Sequence, residues 1–130
     1  MIKTVLEEEG SAIADELWRR ASARVASRLV YPEARAALAA AERSGRIDQA
    51  GRRIAVADLD AACTAMVLVG IDWGLAQHAG EIAELYALRG YDAVHLATAL
   101  SVEEPDLALL TWDHDLAEAA VRAGRAVVPA

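Results

Sequence analysis

Apolar residues along the chain recur at two periods, and the switching between them predicts the elements. Ile13, Leu17 and Trp18 are spaced for one helical face, so the chain from about Thr4 to Arg20 reads as helix, with Gly10 and Ser11 able to end one short helix and cap the next. A second helix is expected from about Pro32 to Arg43, because proline suits a first turn, and it stops at Ser44 and Gly45. A third runs from about Gln49 to Met66. The stretch "VLVGI", residues 67–71, is an apolar run of strand length, and Asp72 suits the cap of a helix reaching Leu88. Gly90 breaks that helix. Tyr91 to Ser101 is helical again, Pro105 punctuates, and "LALLT", residues 107–111, reads as a strand. Leu116 to Ala123 reads as a helix ended by Gly124, and "AVVP", residues 126–129, as a closing strand. Short apolar strands separated by helices imply an α/β fold with a largely parallel sheet. No repeat, low-complexity tail or long linker divides the 130 residues, so one domain over 1–130 is expected.

Composition narrows the class. The hydrophobic fraction is 55%, yet the longest apolar run, "AACTAMVLVGI", falls short of the roughly 20 residues of a membrane span. The opening "MIKTVLEEEG" carries glutamates where a signal peptide needs an apolar segment, so the cytoplasm is the expected compartment. Cys63 is the single cysteine; it lies in the apolar run and reads as a small buried hydrophobe, which leaves no disulfide or cysteine zinc site within the chain. A net charge of −7 leaves no basic footprint for nucleic acid. Carboxylates gathered around a divalent ion, however, can bind phosphate through the metal, so the charge does not exclude that partner. Lys3 is the only lysine; Arg19, Arg20, Arg24 and Arg28 cluster early, and Arg43, Arg46, Arg52 and Arg53 surround one loop. Solvated helix faces explain such clusters more simply than phosphate contacts do.

The acids carry the candidate chemistry. Ligands of α/β folds bind beyond the carboxyl ends of strands, and Asp113 and Asp115 follow "LALLT" directly. Asp115 with Glu118 makes a D-x-x-E helix start, so capping is a sufficient role for Asp115. Asp113 has no such explanation and reads either as a turn residue or as a functional carboxylate at a strand tip. Asp92 reads equally as the N-cap of a helix from Ala93 or as a functional acid. His95, three positions on, shares its face and is the more ordinary packing histidine rather than a ligand or base. Glu33, beside Pro32, suits a helix dipole and needs nothing more. Thr111 can orient Asp113 or a water, although a strand-end threonine needs no such role.

Three segments together are more specific than any acid alone. "YPEARAAL" (Tyr31 to Leu38), "LRGYDAVHLATAL" (Leu88 to Leu100) and "LLTWDHDLAEAA" (Leu109 to Ala120) resemble, in order and spacing, the PIN-domain ribonucleases of the VapC toxin type. "LEEEGS" and "AGRAVVP" extend the likeness over nearly the whole chain. The resemblance implies a three-layer α/β/α fold with a short, mostly parallel sheet. It implies that Glu33, Asp92 and Asp113 converge on one acidic pocket binding Mg²⁺ or Mn²⁺, with Asp115 an accessory ligand. Crowded carboxylates repel one another, and a cation relieves that repulsion. Mg²⁺ takes oxygen ligands, keeps several waters, and lowers the pKa of a bound water while stabilising phosphoryl charge. The implied reaction is hydrolysis of RNA phosphodiester bonds to 5′-phosphate and 3′-hydroxyl ends, with no covalent intermediate and no histidine base. Further implications are a small VapB-type antitoxin whose arginine-bearing tail enters the acidic pocket, and a homodimer. For the dimer contact the sequence offers Trp18 and Trp73, each read first as core.

One departure stands beside the matches. The family opens with a short central strand ending in an aspartate, and alignment on "LEEEGS" would place that aspartate about four residues before Met1. Glu7, Glu8 and Glu9 lie about two helical turns beyond the expected site and cannot replace it. Either upstream residues belong to the natural protein, or the first strand is missing or truncated; a missing strand would expose ladder groups and leave a poorly soluble or partner-dependent domain. Two functional classes follow: a Mg²⁺-dependent endoribonuclease, or a catalytically impaired PIN-like module that binds an antitoxin or RNA without cleavage. A third reading leaves the acids as mere caps in an unrelated α/β domain.

Overall fold

The computed structural model describes Glu16, Arg19 and residues 24–104 and 106–128. Of the helix expected over Thr4 to Arg20, Glu16 and Arg19 are helical and exposed; its other residues, Trp18 included, lie outside the described residues. The chain divides into two compact units after Leu68.

The described part of the first unit holds β1 (Val25–Ser27), α1 (Val30–Arg43), α2 (Gln49–Thr64) and the start of β2 (Val67–Val69). β1 was not expected, because three residues carry no visible period. It pairs with β2, and the Val67 N–H donates to the Arg24 carbonyl at 2.8 Å. The buried Ser27 turns the chain by accepting the Leu29 N–H on its hydroxyl at 3.1 Å. α1 therefore starts at Val30, with Pro32 inside its first turn where the missing N–H costs nothing. Leu38 and Leu59 are wholly buried between α1 and α2, flanked by Ala34 and Ala55, whose small side chains let two helices approach closely. Tyr31 ties the same helices together, donating its hydroxyl to Asp60 Oδ1 at 2.7 Å and accepting from Arg35 at 3.0 Å. Asp48 caps α2 by accepting from the Gly51 N–H. α2 stops at Thr64 rather than Met66, and β2 covers only 67–69 of the expected run.

The second unit contains α3 (Trp73–Tyr86), α4 (Gly90–Ser101), β3 (Ala108–Leu110), α5 (His114–Arg122) and β4 (Ala126–Val128). Asp72 caps α3 as expected, accepting the Leu75 N–H at 2.8 Å. α3 ends at Tyr86 because Ala87 turns into the left-handed region, with φ 54°. Ala93, Leu96, Ala97 and Ala120 are wholly buried in a cluster with Ala79, Ile82, Leu88, Leu116 and Ala119. β3, α5 and β4 form a strand–helix–strand unit, so β3 and β4 are parallel, with Leu109 opposite Val127. Arg125 closes the end of α4: its two terminal nitrogens donate to the carbonyls of Ala99, Val102 and Glu104 at 2.9–3.1 Å.

Short strands between helices make this an α/β fold. The single, largely parallel sheet read from the sequence appears, among the described residues, as two ladders of two strands each. Trp73, read first as core, is instead 76% exposed at the start of α3. No helix among the described residues is long and apolar enough to cross a membrane.

Candidate active site

The start of α4 sets the first candidate acid. Arg89 is the N-cap with extended backbone (φ −67°, ψ 154°), and Gly90, Tyr91 and Asp92 form the first turn. Asp92 was a candidate N-cap, and that reading is corrected: the helix starts three residues before Ala93, so Asp92 lies inside the turn and caps nothing with its side chain. It is nevertheless buried. A buried carboxylate is costly unless it is hydrogen-bonded or paired, and Arg89 Nε donates to Asp92 Oδ2 at 3.2 Å.

The second acid comes from the turn between β3 and α5. Asp113, not Asp115, is the N-cap there: α5 begins at His114, two residues earlier than expected, and the Leu116 N–H donates to Asp113 Oδ1 at 3.1 Å. The expectation that Asp115 caps this helix is thus reversed. The Asp113 N–H donates to Thr111 Oγ1 at 3.0 Å, so Thr111 does fix the turn that presents Asp113. With Oδ1 held by the cap, Asp113 Oδ2 lies 3.5 Å from Arg89 Nη2.

Arg89 therefore bridges Asp92 and Asp113, which arrive from two different helix starts. Both carboxylates sit at the positive, N-terminal end of a helix dipole. The guanidinium also lies over the Tyr91 ring, 4.7 Å from its centroid. The hydrogen bond to Asp92, then Tyr91 and the charges of Asp92 and Asp113, raise the Arg89 pKa above its ordinary value, so this side chain is a permanent cation. Sequence reasoning missed it. The available signal was a cation three residues before Asp92 with a tyrosine between them, a spacing that helix surfaces show routinely.

The remaining candidates stand apart in kind. Asp115 is exposed in the first turn of α5 and, with Glu118, lines an open pocket of 210 Å³ alongside Tyr86, Ala87, Ala119 and Arg122. Arg122 lies over the Tyr86 ring at 5.2 Å in that wall. Glu33 belongs to the first unit, half-buried in the first turn of α1, with its N–H donated to the Leu29 carbonyl. His95 is half-buried on α4. Among the described residues no three His, Cys, Asp or Glu side chains stand close enough to hold a metal ion. The Asp92 and Asp113 pair still suits one chemically, because it offers hard oxygen donors of net negative charge and already holds a cation between its two Oδ2 atoms.

Comparison with known proteins gives the family. The PIN domain model matches residues 1–122. The chain belongs to the PIN-domain family. Ribonuclease VapC45 of Mycobacterium tuberculosis strain CDC 1551 / Oshkosh and Ribonuclease VapC49 of strain ATCC 25618 / H37Rv are each 43% identical to it over 129 residues, 99% of this chain and 90% of the relative. This PIN domain is of the VapC type. Its α/β class and its paired aspartates at helix starts thus appear in a chain whose curated relatives are named as ribonucleases.

Proposed function

We propose that this VapC-type PIN domain is a divalent-metal-dependent endoribonuclease, the toxin of a pair with a VapB-type antitoxin. The observation that carries the reading is the convergence of Asp92 and Asp113 on one cation at two helix starts. Asp92 and Asp113 would hold Mg²⁺ or Mn²⁺, and the family resemblance adds Glu33 as a further ligand and Asp115 as an accessory carboxylate. Bound there, the ion would acidify a water and stabilise charge on the phosphoryl oxygens. Asp113 is aimed by its cap and by Thr111, and burial restricts Asp92 to few orientations. Such preorganisation means the carboxylates need not reorient at the moment of reaction. The products would carry 5′-phosphate and 3′-hydroxyl ends.

The same reading takes both compact units as parts of one domain, supported by the family match from residue 1 to 122. It places the protein in the cytoplasm and makes it a homodimer, for which Trp73 is the most exposed of the large apolar side chains among the described residues. A net charge of −7 suits a basic antitoxin peptide.

The test is cleavage of a mixed RNA by the purified chain with Mg²⁺, with EDTA, and after Asp113→Asn. Metal-dependent cutting that the substitution lowers at least about a hundredfold is expected, the usual scale for losing an electrostatic catalytic group. RNA or antitoxin binding with no cutting in any metal would reassign the protein as a binding module.

A further inference from the structure

Arg89 does more than neutralise a neighbour. We infer that it is a built-in counter-cation which occupies the space between Asp92 and Asp113 in the metal-free protein and must leave it when a divalent ion binds. The inference rests on the metal-dependent reading above and concerns a residue to which that reading gives no part in the reaction.

Geometry supplies the first part of the argument. One guanidinium contacts the Oδ2 atoms of both acids, at 3.2 Å and 3.5 Å. An ion held by those oxygens would meet the guanidinium at close range, and like charges so close repel. Arg89 and the metal are therefore alternatives. The three side chains also differ in freedom. Asp92 is 12% exposed and Asp113 37%, the latter with one oxygen committed to its cap, whereas Arg89 is 65% exposed. The carboxylates form the fixed half of the cluster and the arginine is the part that can move.

Energetics supplies the second part. Two acids brought together without a counter-charge destabilise the folded chain. A solvent-exposed arginine relieves that repulsion, but only weakly, because water and salt screen the pair. Weak compensation suits a place-holder: it keeps the metal-free fold intact and yields readily to a doubly charged ion. The guanidinium also lies over the Tyr91 ring at 4.7 Å, a contact that owes nothing to the carboxylates and can keep the side chain near the site once it leaves them. N–H donors released from the carboxylates would then be available to a phosphate oxygen. Loading with metal would thus convert Arg89 from an internal counter-ion into a phosphate-binding cation.

The experiment measures Mn²⁺ binding through the electron paramagnetic resonance signal of the free ion, on wild type, Arg89→Gln and Arg89→Lys, with circular-dichroism melts in EDTA. Arg89→Gln is expected to bind Mn²⁺ roughly fivefold more tightly, the scale of one screened ion pair removed, and to melt lower than wild type in EDTA. Should Arg89→Gln fail to fold, Arg89→Lys carries the test, with tighter binding expected because one ammonium cannot span both carboxylates. Unchanged or weaker Mn²⁺ binding by a folded variant, with wild type still binding, overturns the inference and leaves the metal-dependent reading intact. No Mn²⁺ binding by wild type or either variant overturns both.

Discussion

Asp113 carries two roles on one side chain, with Oδ1 capping α5 and Oδ2 facing Arg89. The two roles separate by substitution. Asparagine caps a helix about as well as aspartate, so Asp113→Asn is expected to change stability by less than about 0.5 kcal/mol while removing the charge, and Asp113→Ala to cost about 1 kcal/mol. Chemical denaturation of both variants beside the cleavage assay checks this. Asp92→Asn gives the complement: it removes no cap, so a shift in the metal-free melt reports the charge of Asp92 against Arg89, Asp113 and the helix start. Cys63 offers a pH-dependent probe in the first unit. Burial, and secondarily the charge of Asp60, push its thiol above the ordinary value. Folding thus disfavours the thiolate: the stabilisation is present below the unfolded-state pKa and is lost as pH rises through the folded one. Alkylation of Cys63 at mildly alkaline pH is expected to be slower in the native protein than in urea, and equal rates would contradict the shift.

At the scale of elements, the site is made by where α4 and α5 begin. The cap before α4 is an arginine and the cap before α5 an aspartate, so one helix start presents the cation and the other the acid. The approach to α4 runs through Ala87, the non-glycine residue with positive φ among those described. A left-handed alanine costs about 1 kcal/mol, so Ala87→Gly is expected to raise stability by up to that amount. A lower melting temperature for this variant would show that the alanine side chain contributes packing which outweighs the strain. At the other end of α4, Arg125 gives the Ala99 and Val102 carbonyls a second donor beside the backbone N–H groups of Val102 and Glu104. Arg125→Met keeps the aliphatic length and loses the donors. It is expected to destabilise the second unit by about 1 kcal/mol through the loss of these additional hydrogen bonds, since each carbonyl keeps a backbone donor, and the loss is measurable as reduced hydrogen-exchange protection in α4.

For the molecule as a whole, the proposal of one PIN domain has a thermodynamic consequence. Two compact units that belong to one domain should unfold together, with the calorimetric enthalpy equal to the van't Hoff value. Two resolved transitions would make the units separate domains. What the sequence determined by itself was what depends on local chemistry: the α/β class from alternating apolar runs, the Asp72 cap from its position before a helical period, and the acids worth testing from their place in the "YDAVHLATAL" and "LLTWDHDL" segments. The tertiary structure decided what depends on exact helix starts and through-space contacts. A shift of two residues at the start of α5 passed the capping role from Asp115 to Asp113, and a start at Gly90 left Asp92 without one. Local preference is nearly flat across such shifts, because aspartate is acceptable both at a cap and within a first turn. Arg89 lay beyond sequence reasoning for a different reason. Its second partner, Asp113, is brought to it by the packing of α4 and α5 around Leu96 and Leu116, and no spacing along the chain encodes that contact.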